Sequence, residues 1–156
     1  MNVIADWQEK GSTQQITGQV YKADLSDEWI PKWLDWDKPI SELPQIVQQN
    51  IYNKLTDIGI EKGIVNHILN NKTGQELMNE LAGRMSVRNP SPIPGSAQAS
   101  NLLKEAGIPG IRYLDGGSRG AGQGSYNYVV FPGLEDKVKI LERNGQPVNA
   151  LAEILK

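Results

Sequence analysis

The chain has 156 residues, no cysteine, a single histidine, and 16 basic residues against 18 acidic ones for a net charge of −2. Disulfides, thiolate metal sites and any site built on paired histidines are therefore excluded. The Lys and Arg residues are scattered rather than clustered, so a sequence-independent nucleic-acid partner is not expected.

The length predicts a single domain over 1–156 that buries one core without staples. The opening MNVIADWQEKGSTQQ has neither the basic start nor the apolar stretch of a secretory signal. No apolar run approaches the ~20 residues of a spanning helix. The expectation is a cytoplasmic protein with no membrane partner.

In chain order, residues 1–16 show no period and read as an N-terminal arm. GQVYKADL, 18–25, alternates imperfectly and predicts a strand. In SDEWIPKWLDWDKPIS, Trp29, Trp33 and Trp36 stand at helical spacing, but Pro31 and Pro39 prevent a long helix. A short irregular segment whose indoles plug the core is expected; a platform for bases or sugars is the alternative. Three helices follow. The first takes Ser41 as cap and Ile46, Val47, Ile51 and Leu55 as its stripe, and the second lines up Ile60, Ile64, Ile68 and Leu69. The third opens on a Thr73–Glu76 capping box and buries Leu77, Leu81 and Met85. The proline-rich SVRNPSPIPGS is an exposed connection, and SAQASNLLKEAG a helix ending at Gly107.

Beyond it, GIRYLD predicts a strand over Ile111–Leu114, and YNYVVF a central strand covered on both faces. KVKILER is expected to pair with YNYVVF. Asn144-Gly145 signals a turn, and a C-terminal helix is expected over 146–156 with Pro147 in its first position. The order of elements implies α+β rather than a doubly wound parallel sheet.

Between the two strands, residues 115–125 hold five glycines in eleven positions, which predicts a mobile loop. The loop contains no G-x-x-x-x-G-K-[ST], and its glycines run from strand to strand rather than from strand to helix, so neither a P-loop nor a dinucleotide fingerprint is present. A kinase-type loop also fails, because Lys139 is followed by too short a stretch for the remaining kinase elements. What remains is a plain connection, or a ligand-facing loop framed by Arg112, Asp115, Arg119, Tyr126 and Asn127.

The string ASNLLKEAGIPGIRYLDGGSR, the glycine-rich gap, then YNYVVF and KVKIL resembles the C-terminal half of an ADP-ribosyltransferase-like family carried in large polyvalent proteins of phages and prophages. VYKADL, WLDWDKPISE and TGQELMNEL are similar to its middle strand, the segment after it and its central helix, so the resemblance spans residues 18–141. It implies a split, mostly antiparallel sheet with a helical insert, the incomplete form of that fold, in the cytoplasm of a bacterial host. It also implies an NAD cleft in which a His or Arg on an early strand holds the adenosine ribose. A Glu opening a later strand would stabilise the oxocarbenium-like transition state, because positive charge develops on the sugar.

Carried over residue by residue, the Glu position corresponds to Asn127, the catalytic candidate. Arg112, Asp115, Arg119 and Tyr126 become substrate-binding candidates, and no metal site is implied. Asparagine can hydrogen-bond a ribose hydroxyl but carries no charge and accepts no proton. The residues ahead of VYKADL contain neither His nor Arg, and His67 falls in the helical insert. Three expectations stay open. The chain is a family member without transferase activity or cofactor of its own, an interaction module that pairs a sheet edge with another chain or a copy of itself, or an NAD-dependent transferase with an unorthodox site.

Overall fold

The computed structural model describes residues 21–88 and 93–148. In chain order the strands are β1 (Tyr21–Asp24), β2 (Leu34–Asp35), β3 (Gly110–Leu114), β4 (Tyr126–Val130), β5 (Lys139–Arg143) and β6 (Gln146–Pro147). The helices are α1 (Gln45–Asp57), α2 (Lys62–Asn71), α3 (Gly74–Arg88) and α4 (Gly95–Glu105), all between β2 and β3. The structure is α+β, and the chain divides into two compact units, residues 1–23 with 140–156 and residues 24–139.

The larger unit is built on the helices. Pro44 precedes α1 and holds Leu43 extended (ψ 161°), so Ser41 falls in a separate 3-10 turn, Ile40–Glu42, and caps nothing. A residue before proline is pushed out of the helical region, which places the helix start after Pro44 and not at Ser41. α1 buries Val47, Ile51 and Leu55, while Ile46 is exposed. α2 buries Val65 and Ile68, while Ile64 is exposed. In both helices two adjacent apolar residues offer two equivalent stripes, and packing selects the one that faces the other helices. α3 opens on the expected capping box: Thr73 N–H donates to Glu76 Oε2 (2.9 Å) and Glu76 N–H to Thr73 Oγ1 (3.3 Å). Leu77, Leu81 and Met85 are buried along its inner face. The helix continues to Arg88, three residues into the stretch expected to be a connection.

α4 ends at a Schellman turn. Gly107 has φ +81°, its N–H donates to Lys104 O (2.9 Å), and Ile108 N–H donates to Leu103 O (3.1 Å). Ile108 is thereby delivered into the core, which also holds Leu34, Ile40, Leu103 and Phe131.

The sheet of this unit has the order β2-β3-β4. β2 runs parallel to β3, with Leu34 beside Ile111 and Asp35 beside Arg112. β4 runs antiparallel, with Arg112 opposite Tyr128 and Tyr113 opposite Asn127. Two expectations are corrected here. β4 is an edge strand, not a central one, with Tyr128 and Val129 44% and 45% exposed. β5 does not pair with β4; it lies in a different sheet, of order β1-β5-β6.

The reason lies in the smaller unit. Asn144 (φ 52°) and Gly145 (φ 75°) form the two-residue, positive-φ turn that matches strand twist. That turn ties β5 to β6, with Arg143 opposite Gln146. Pro147 is consequently in a strand rather than the first turn of a helix, and residues 149–156 of the expected helix lie outside the described residues, as does the arm 1–16. Lys22 Nζ donates to Glu142 Oε1 (2.8 Å), and this hydrogen bond, with the carboxylate's charge, holds the lysine above its ordinary pKa.

Candidate functional site

Strand β3 organises the polar residues of the larger unit. Its side chains alternate between faces, and residues directly opposite across the ladder share one. One face carries Asp35, Arg112, Tyr126 and Tyr128. The other carries Leu34, Ile111 and Val129, then Tyr113 and Asn127 beyond them.

On the first face Arg112 Nε donates to Asp35 Oδ2 (3.1 Å), and Asp35 is only 1% exposed. Asp35 Oδ1 accepts the Asp37 N–H (3.2 Å), so both carboxylate oxygens are partnered. The Arg112 guanidinium lies over the Tyr126 ring, 4.9 Å from its centroid. An aromatic ladder continues from there. Tyr126 and Tyr128 are 6.5 Å apart, Tyr128 and Trp33 meet edge-on at 4.9 Å, and Trp33 and Trp29 at 6.0 Å. Gly110 permits this: a Cβ there would collide with Val129 O and the Trp33 indole. Trp29 and Trp33 are buried on this side of the sheet, and of the three indoles expected to plug the core it is Trp36, partly buried, that packs against it.

The glycine-rich loop closes on itself. Asp115 N–H donates to Ser125 O (3.0 Å), Asp115 O accepts from Ser118 and Arg119, and Asp115 Oδ1 accepts the Ser118 N–H (2.8 Å). Ser125 N–H donates to Ser118 Oγ (3.0 Å). The Asp115 carboxylate thus shapes the turn from within. Arg119 sits in a short 3-10 turn, Arg119–Ala121, with its guanidinium 5.6 Å from the Tyr113 ring centroid and 3.9 Å from Asp37 Oδ1. The other Asp37 oxygen accepts the Leu114 N–H (3.1 Å).

No family model, curated protein or solved structure matches the chain.

The five candidate residues therefore fall into three places. Arg112 and Tyr126 are together on the face with the buried Asp35. Asn127 is exposed on the opposite face, paired with Tyr113, whose ring Arg119 overlies. Asp115 belongs to the loop. The arrangement offers hydrogen-bonding amide, guanidinium and aromatic surface, with its carboxylates already engaged by arginine or backbone N–H groups. Asp35, Asp37 and Tyr128 were not among the candidates, and Trp33 entered only with the alternative of an aromatic platform. The signal for the two aspartates was WLDWD, in which Asp35 is set between two indoles and Asp37 follows the second, since a charge buried in an apolar segment is retained only when paired.

Among the described residues no group of three His, Asp or Glu side chains is placed to hold a metal ion, and no helix is long and apolar enough to cross a membrane. His67 is exposed on α2, hydrogen-bonded to Asn71 through its carbonyl (2.9 Å).

Proposed function

We propose that the chain is an ADP-ribosyltransferase-like domain of a phage or prophage protein that has no transferase activity of its own and self-associates through the free edge of β4. The resemblance of residues 18–141 supports the first part, and Asn127 at the position of the family's Glu supports the loss of chemistry. Asparagine supplies no negative charge to an oxocarbenium-like transition state.

The observation that carries the second part is the edge itself. Phe131 N–H donates to Pro109 O and Asp115 N–H to Ser125 O, which sets the alternation of the β3–β4 ladder. Asn127 and Val129 direct their backbone groups to β3, so those of Tyr126, Tyr128 and Val130 point outward. Among the described residues these outward groups have no backbone partner. Tyr128 and Val129 stand exposed on opposite faces, so an added strand would cover both. A second copy of β4, antiparallel across a two-fold axis, satisfies the edge symmetrically.

Sedimentation over a concentration series tests the association. The expected result is a monomer–dimer equilibrium abolished by Tyr128→Pro, which removes an outward N–H and no bond to β3; a strict monomer overturns it. Calorimetry with NAD tests the rest. A micromolar dissociation constant, about −8 kcal/mol, accompanied by nicotinamide release would overturn the loss of activity.

A further inference from the structure

The larger unit has a small concavity where the 3-10 turn Asp27–Lys32, the C-terminal end of α4 and the segment after β4 meet. Its volume is about 220 Å³, and its walls include Glu28, Trp29, Lys32, Lys104, Leu134 and Lys137. Among the described residues none of the three lysines stands within salt-bridge distance of a carboxylate. Lys104 is held in place by donating to Pro132 O (2.7 Å), and Lys32 and Lys104 are both half-buried. Ammonium groups gathered around one concavity repel each other, and an anion placed among them relieves that.

The charges also select the anion. Among the lining residues three lysines stand against one carboxylate, Glu28, a positive excess that suits an anion of more than one charge such as a phosphate monoester, ≈ −1.5 to −2 at neutral pH. At about 220 Å³ the concavity leaves room for only a small body attached to the phosphate. Glu28, an acceptor beside three donors, suits a hydroxyl on that body, and the Trp29 indole supplies an apolar wall. We propose that this pocket binds a small hydroxylated phosphate monoester, its phosphate among Lys32, Lys104 and Lys137 and its hydroxyl donating to Glu28.

The test is a titration of the ¹⁵N-labelled full chain with glycerol 3-phosphate and with inorganic phosphate, against sodium chloride of equal ionic strength. The signals are the Gly107 and Leu134 amides and the Trp29 indole N–H. Saturable shifts with both phosphates and none with chloride are expected. The double variant Lys32→Gln, Lys137→Gln should weaken both at least tenfold with the rest of the spectrum unchanged; Lys104 is spared because it also secures Pro132. Glu28→Gln should weaken glycerol 3-phosphate while leaving inorganic phosphate equal or tighter, since it removes an opposing charge. Shifts that never saturate, that chloride reproduces, or that persist in the double variant overturn the site. Equal weakening of both ligands by Glu28→Gln overturns the hydroxyl contact.

Discussion

The helical segment between β2 and β3 and the strand β4 treat apolar residues in opposite ways. Val47, Ile51, Leu55, Leu77, Leu81 and Leu103 are wholly out of solvent, whereas β4 leaves nearly half of Tyr128 and Val129 exposed. The helices hide one stripe each and need only neighbouring helices to do so. β4 is apolar on both faces but has a partner on one side only. Stability therefore resides mainly in the helices, while β4 keeps an open edge among the described residues.

Substitutions at the boundary between the two regions break or sharpen that contrast. Phe131 follows β4 directly yet belongs to the helical core, so Phe131→Ala should cost about 3–5 kcal/mol. Val129→Ala, two residues earlier and on the same face, should stay within about 1 kcal/mol, as exposed positions do. Denaturant melts showing equal losses would mean that β4 is as deeply packed as the helices. Next in size is Arg112→Ala, which deprives the buried Asp35 of its charge partner and should cost roughly 1–3 kcal/mol. Arg119→Ala, in a longer and more exposed pairing with Asp37, should cost no more than about 1 kcal/mol. The same melts compare the two. On the helical side Thr73→Ala removes one half of the capping box and should cost about 1 kcal/mol, read as a lower midpoint with an unchanged slope.

The smallest effect concerns pH. The Glu135 carboxylate accepts backbone N–H groups, including that of Gly133 (2.7 Å), and these hold its pKa below the usual carboxylate range. A depressed folded pKa gives stability that is present above the unfolded value, about 4.3, and is lost as pH falls through the folded one. Glu135→Gln should therefore flatten the acid limb of a stability–pH profile below that value and alter nothing at neutrality.

Much of the helical segment was legible because its signals are local. The Thr73–Glu76 box and the Gly107 stop each lie within a few residues, as does the Asn144-Gly145 turn of the smaller unit. Which stripe of α1 and α2 turns inward was not legible, because Ile46 beside Val47 and Ile64 beside Val65 satisfy the period equally. β2 was missed because it is two residues long in a segment broken by prolines, and its partner is remote in sequence. The partner of β5 was misread because alternation reveals a strand without revealing its neighbour; the Asn-Gly turn was the better guide. At the candidate site, the placing of Tyr126 and Asn127 on opposite faces follows from adjacency alone. The burial of Asp35 by Arg112 does not, since it depends on the register of a parallel pair.

That parallel pair has a consequence for the order of assembly. Asp35 and Arg112 are 77 positions apart, and the chain between them contains all four helices. Bringing such distant ends together in an open chain carries a large closure entropy, whereas each helix gains from contacts close by. Once the helices have packed they shorten the connection, and β2 and β3 meet at far lower cost. On this account the sheet forms last, and contacts of long sequence separation slow the final step. A chain emerging from the ribosome would pack α1 to α4 against one another before β4 exists, with Phe131 the last residue added to their core, so the open edge of β4 would appear only after most of its support is in place. Pulse-labelled amide exchange during refolding should protect α1 and α3 before β3, and simultaneous protection would contradict that sequence of events.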